Sequence, residues 1–308
     1  MTATPKLGLV CISELLKDKN KKTAFKTMTR KQFVSMQRHI AIKELSSRIL
    51  HNSKITAQII VHCASVGISH YRVSSNLFPL ITDSTLDLNY NDLPDFEQIK
   101  NMLLLAGDHA RKIGITISSH PDQFNVLSSY TDAVVDKSIC ELNHQSYVLD
   151  LMGCSQDHNT PMCLHVSKNP NLEVETIEQY CQRFMSNLSR CDVGVQKRLV
   201  VENEDNGYWN SENVFNVFGS LLPCVFDNLH DAINPSNRCY MNDFKNTWKS
   251  YTPVMHWSEG INNTKSHTDY ASHIPNVVSN NLDCIWEVEL KAKDKSIVKI
   301  LSENFKSY

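Results

Sequence analysis

Hydrophobic positions along this chain fall into two kinds of run that alternate. Eight short stretches, "KLGLVCIS", "SHYRVSS", "GITISSH", "PMCLHVS", "KRLVVENED", "PCVFDNLH", "TPVMHWSE" and "DCIWEVEL", are of strand length, and most are rich in Val, Ile, Cys or aromatic residues. Most are continuous rather than strictly alternating, as parallel strands covered on both faces should be. Helical spacing fills most of the intervals. "TRKQFVSMQRHIAIKELSSRIL" opens with Thr29 and Gln32 at capping-box spacing and repeats apolar residues at Phe33, Met36, Ile40 and Leu45, which predicts one helix. "DFEQIKNMLLLAGDHARKIG" ends on Gly114, a predicted helix stop just before the third strand. "TDAVVDKSICELNHQSYVLDLMG" and "EVETIEQYCQRFMSNLSRC" read the same way, while the patterns after the sixth and seventh strands are weaker.

Eight strands alternating with helices is the count of a (β/α)8 TIM barrel, an α/β fold. A doubly wound open sheet competes, but no glycine-rich phosphate loop follows the first strand, which also removes the usual sign of a nucleotide cofactor. Without a linker, internal repeat or low-complexity tract, residues 1–308 are read as a single barrel domain.

Composition adds mainly exclusions. Hydrophobic residues make up 41% and charged residues 21% of the 308 residues, the ordinary balance of a globular chain. A net charge of −2 supplies no basic field, so nucleic-acid binding would have to rest on local patches or bound cations. The ten cysteines are scattered, with no Cys-x-x-Cys; Cys11, Cys63, Cys163, Cys224 and Cys284 read as small core residues. No apolar leader and no run of membrane-span length are present, so the expectation is a cytoplasmic protein with reduced thiols (nuclear in a eukaryote), neither secreted nor membrane-bound.

The chemistry gathers at strand ends. In a barrel the carboxyl ends of all strands open on one face, where active sites are built. His120 ends the third strand, His165 the fourth, Glu202 the fifth, Asp227 and His230 the sixth, His256 the seventh and Glu289 the eighth, with His267 following in the loop after the seventh. Singly, each is more simply a hydrogen-bonded core residue, the reading kept for His39, His51, His62, His70, His109, His144, His158 and His273. Together they place imidazole or carboxylate on six strand ends, and so much buried charge requires counter-charge. Divalent cations would supply it, and mixed nitrogen and oxygen donors suit manganese, zinc or iron better than calcium. No cysteine ends strands three to eight, which argues against a thiolate site. Clustered cations point to phosphodiester hydrolysis, because bound water becomes a nucleophile at neutral pH beside a polarised phosphoryl group. No Ser-His-Asp or Cys-His arrangement offers a covalent alternative.

At this point "LGLVC", "YRVSSNLFP", "SSHPDQF", "CLHVS", "VVENED", "FDNLH", "HWSEG", "SHTDY" and "WEVELKAKDK", in that order from about Leu7 to Leu301, resemble the ultraviolet damage endonucleases. That family is similar to the endonuclease IV-like apurinic endonucleases and the xylose-isomerase-like barrels. The resemblance implies nicking of damaged double-stranded DNA on the 5′ side of photoproducts and some other lesions, without ATP, with two or three divalent ions, often Mn²⁺. It implies His120, His165, Glu202, Asp227, His230, His256, His267 and Glu289 as ligands, the set reached from the strand ends, with Glu202, Asp227 and Glu289 catalytic. It further implies that Gln123 and Phe124 probe the duplex, an aromatic wedge and an amide filling the gap left by displaced nucleotides. Three positions depart from the pattern. Asp83 stands where some members have a metal-ligating histidine, and is carried as a candidate ligand. Val254 replaces a modified, metal-bridging lysine. Leu9 replaces a tyrosine of the lesion probe, and is carried as a candidate DNA contact. On the charge run "LLKDKNKKTAFK", placed on the same face, Lys17, Lys19, Lys21, Lys22 and Lys26 are candidate phosphate contacts.

Three readings compete with a photoproduct endonuclease. An abasic-site endonuclease of the related family would act on missing bases. A metal-dependent sugar isomerase would want a closed polar pocket, which an exposed Gln-Phe loop and a lysine-rich loop do not suit. A binding module without catalysis would not need Glu202, Asp227 and Glu289 facing phosphates. Access of a duplex to the barrel mouth favours a monomer.

Overall fold

Each of the eight apolar runs is a strand in the computed structural model, which describes residues 5–304. The strands are β1 (Lys6–Val10), β2 (His70–Val73), β3 (Thr116–Ser119), β4 (Met162–His165), β5 (Leu199–Glu202), β6 (Cys224–Val225), β7 (Val254–Trp257) and β8 (Ile285–Val288). All are parallel and lie in one sheet in the order β6-β5-β4-β3-β2-β1-β8-β7. The sheet curls until its ends meet: His256 N donates to Phe226 O at 3.0 Å, and Asp227 and His256 form an isolated parallel bridge. The expected (β/α)8 barrel is therefore observed, and its closing seam is made by two of the strand-end residues.

Among the described residues twelve α-helices accompany the strands. After β1 come α1 (Glu14–Lys19), α2 (Arg30–Val34) and α3 (Arg38–Ser65). Later strands are followed by α4 (Phe96–Ile113), α5 (Asp132–Leu151), α6 (Ile177–Leu188) with α7 (Val193–Arg198), and α8 (Ser211–Phe218). The last are α9 (Asn228–Ile233), α10 (Met241–Thr247), α11 (Asn276–Ser279) and α12 (Asp294–Asn304). Thr29 and Gln32 form the expected capping box, but the single helix expected after them is two. Ser35 Oγ donates to Gln32 O at 2.7 Å and Gln37 is extended at φ −60°, ψ 136°, so a local side-chain bond and an extended residue interrupt the helix. Gly114 stops α4 in the left-handed conformation at φ 76°, as expected. The sequence after β6 and β7 carries only short helices, in keeping with its weak periodicity.

The core lies between sheet and helices and inside the barrel, and all four tryptophans are fully buried in it. Strand parity decides which side chains turn inward. Gly8 pairs in register with His70 on one side and Glu287 on the other. A Cβ at Gly8 would lie 2.8 Å from the His70 ring, so only glycine lets the two neighbours meet across β1. Among the described residues no helix is long and apolar enough to cross a membrane.

Candidate active site

Glu202, at the end of β5 and 1% exposed, is the hub. Its Oε2 lies 3.1 Å from His120 Nε2 and 2.8 Å from His256 Nδ1, and its Oε1 lies 3.1 Å from His165 Nδ1 and 3.6 Å from His230 Nδ1. Asp227 Oδ2 and Glu289 Oε1 each stand 3.9 Å from His256 Nδ1. Seven of the residues expected at strand ends are thus brought together. The eighth, His267, pairs through Gly260 in the loop after β7, and its Nδ1–H donates to the Glu289 carbonyl at 2.5 Å.

The elements that carry these side chains also aim them. Asp227 caps α9 through Oδ1, which accepts from Leu229 N and His230 N at 2.8 Å, and the cap sets His230 one turn along. Asn203 brackets the Asp227 backbone, donating to its O at 3.0 Å and accepting from its N at 2.9 Å. His120 commits Nδ1–H to Pro121 O and His230 commits Nδ1–H to Asn203 O, at 3.0 and 2.8 Å. With Nδ1–H so committed, Nε2 is the nitrogen that each would present to an ion, the usual arrangement of a metal-binding imidazole.

Burial would raise the Glu202 carboxyl, but His165, His256 and His120 hold it well below the usual carboxylate range. Burial opposes charge on His165, and Glu202 and Glu204 overcome it, lifting the imidazole to about 9. His230 is raised in the same way, against burial, by Asp227 and Glu202. Asp227 is raised by burial, with Glu289 and Glu202 adding to it against His230. The cluster therefore gathers protons to balance its carboxylates. Among the described residues two sets of ligand atoms converge within 4.8 Å: His120, Cys163, Glu202 and His256, and His256, Glu287 and Glu289. Asp227 Oδ2 and both His256 nitrogens are buried without a directed hydrogen bond, a costly arrangement that cations would relieve. The donor set, imidazole nitrogen with carboxylate oxygen, fits divalent transition ions.

Four residues here were not expected from the sequence. Glu204 holds His165 Nδ1 at 3.2 Å and Ser167 N at 2.9 Å. Arg72 bridges Glu287 and Glu289. Cys163, expected to be a simple core residue, points into the cluster and donates to Glu202 Oε2 at 3.2 Å, with its thiol pushed well up by burial and by Glu202. The signal was strand parity, because Cys163 and Glu287 lie two residues before His165 and Glu289 and share their faces.

Two residues carried as site candidates lie apart from the cluster. Leu9 is fully buried in the core, one residue past the inward-facing Gly8 and so on the helix side of β1. Asp83 turns to its own loop, with Oδ1 accepting from Thr85 N and Oγ1 at 3.0 and 2.6 Å and Oδ2 lying 3.8 Å from Arg30 Nε; it joins neither convergent set. Lys17, Lys19, Lys21, Lys22 and Lys26 are all exposed, and Lys17 pairs with Glu14 at 3.0 Å. Gln123 and Phe124 sit in the loop after β3, with Phe124 80% exposed. Ser167 Oγ donates to Gln123 O at 3.0 Å, so this loop is fastened through Ser167 and Glu204 to His165.

A sequence model of the UV-endonuclease UvdE family matches residues 5–308. The chain is similar to the UV DNA damage endonuclease of Nostoc sp., 29% identical over 97% of this chain and 90% of that one. It is 26% identical to the UV DNA damage endonuclease of Deinococcus radiodurans, over 97% and 95% of the two chains. Among solved structures it is similar to the crystal structure of SacUVDE, with a TM-score of 0.76, 25% identity, and coverage of 97% of this chain and 99% of that one.

Proposed function

This chain belongs to the UV-endonuclease UvdE family, and from that premise we propose that it is a DNA repair endonuclease that nicks the backbone 5′ to ultraviolet photoproducts and other lesions by metal-dependent hydrolysis. The observation that carries this reading is the convergence of His120, His165, His230 and His256 on Glu202, with Asp227 and Glu289 beside them, next to the exposed Gln123–Phe124 loop. His120, His165, His230, His256 and His267 with Glu202, Asp227 and Glu289 would hold two or three divalent ions, Mn²⁺ suiting the mixed donors. When bound, such ions supply a hydroxide-like water and a polarised phosphoryl group. The chain's own part is positional. Asn203 and the α9 cap fix Asp227, Glu204 fixes His165, and the Gln123–Phe124 loop sets a flipped lesion against this cluster. The protein works as a monomer wherever cellular DNA lies, in the cytoplasm or the nucleus.

The discriminating assay compares photoproduct-bearing, abasic and intact duplexes, each with and without Mn²⁺, alongside a sugar-isomerisation test. Nicking of the photoproduct duplex only with the ion supports the proposal. Preference for the abasic duplex would favour the abasic-site reading, and sugar turnover without nicking would favour an isomerase.

Two further results are expected. Ion binding must displace protons from imidazoles that the fold makes more basic, His165 to about 9. Calorimetric titration from pH 6 to 8.5 should therefore show Mn²⁺ affinity rising by about tenfold per pH unit for each proton displaced. A flat profile would mean that the imidazoles are not ligands. Lys21 and Lys22 are exposed on the loop after β1. Replacing both by Ala should weaken damaged and intact duplex alike and make the salt dependence shallower by about one unit per lost phosphate contact. An unchanged slope would leave the loop a solvated surface.

A further inference from the structure

Beneath the cluster lies a second carboxylate, Glu287, on the inward face of β8 and 1% exposed. Its Oε1 accepts from His70 Nε2 at 3.0 Å and from the Ser118 hydroxyl, and its Oε2 accepts from Arg72 Nη1 at 2.8 Å. His256 Nε2 stands 3.3 Å from the same Oε2. With a donor or an imidazole at each of its roughly four acceptor positions, this carboxylate is an anchor with little capacity left for an ion. Gly8 leaves the space in which His70 reaches it. Arg72 Nη1 then continues upward to Glu289 Oε1 at 2.5 Å. Among the described residues Arg72 is the only side chain hydrogen-bonded to the Glu289 carboxylate.

The charges explain why this bridge matters. Glu202, Glu287 and Glu289 all approach His256. The guanidinium does not titrate, and its planar fork fixes direction as well as charge. Hydrogen-bonded to both carboxylates, it holds Glu289 in a fixed place relative to Glu287.

We propose that Arg72 and Glu287 are positioning residues: Glu287, anchored by His70 and Ser118, sets Arg72, and Arg72 holds Glu289 pre-aimed at the cation site. The proposal rests on the metal-dependent reading above. It treats Glu287 as a support for the ligands, and Arg72 as the strut between support and ligand.

The test is Mn²⁺ binding without DNA, followed by the electron paramagnetic resonance signal of the free ion, in the wild-type protein and in Arg72→Lys, Arg72→Gln and Glu287→Gln. Loss of a supporting partner typically weakens metal affinity or activity by about 10–100-fold, and a loss in that range is expected for all three variants. Lysine keeps the charge but not the fork, so Arg72→Lys should stay well short of wild-type affinity. At saturating Mn²⁺ the same variants should lose kcat with the KM for damaged duplex unchanged. Wild-type Mn²⁺ affinity in folded Arg72→Lys would overturn the proposal, whatever its melting temperature. If Glu287→Gln does not fold, the two Arg72 variants carry the test. Wild-type protein that binds no Mn²⁺ would instead bring down the metal-dependent reading, and this inference with it.

Discussion

Replacing Glu202 by glutamine is expected to cut single-turnover nicking of photoproduct-bearing duplex by about three or more orders of magnitude, with damaged-duplex affinity changed by less than about threefold. The substitution preserves volume in a fully buried position, so the barrel should still form. It removes the charge that four imidazoles share at 2.8–3.6 Å. The amide also puts N–H donors where those nitrogens need an acceptor or an ion. The loss should fall on the chemical step because Glu202 is buried beneath the mouth, whereas the groups that would touch the duplex, Phe124 and the loop lysines, lie outside it. Glu289→Gln should act in the same direction, since its carboxylate stands 3.9 Å from the same His256 nitrogen. Turnover of Glu202→Gln within tenfold of wild type would show that the hub is structural.

Phe124→Ala is expected to weaken damaged-duplex binding by about 10–100-fold, from an aromatic stacking contribution of roughly 1–3 kcal/mol, while intact duplex is held as before. The ring is 80% exposed in the loop immediately past His120 and Pro121, so it packs against little of its own fold. Melting temperature should therefore hardly move. An intact duplex offers no gap to fill, and that asymmetry is the signature of a wedge. Gln123→Ala should follow with a smaller effect. Paired titrations on damaged and intact duplexes, with thermal melts as control, read all of this. Equal losses on both duplexes would make Phe124 a backbone contact, and a large fall in melting temperature would make it a packing residue.

The strands and the upper ring of the site were legible in the sequence for one physical reason. Strands buried on both faces are continuous apolar runs, and a histidine or carboxylate that ends such a run stands out. Glu202, Asp227, His256 and Glu289 could be read in this way. The layer below could not, because within a continuous run nothing marks which residues face inward. Glu287 and Cys163 looked like strand interior until Gly8 and the register fixed the parity. The same parity buries Leu9 on the helix side of β1. Asp83 was misplaced for a different reason: its loop folds back on Thr85, and short polar turns leave no periodic trace. The break between α2 and α3 depends on one serine side chain bonding its own helix, which apolar spacing does not reveal.

The account turns on whether the strand-end cluster is a metal-dependent centre that cuts beside ultraviolet lesions. A duplex carrying one photoproduct, end-labelled on the damaged strand, can be incubated with metal-stripped protein and then with Mn²⁺ restored, and the products resolved to the nucleotide. The expected result is no cleavage in the stripped protein and, with Mn²⁺, a single nick on the 5′ side of the lesion. Full cleavage by the metal-stripped protein, or Mn²⁺-dependent cutting that ignores the lesion, would contradict it.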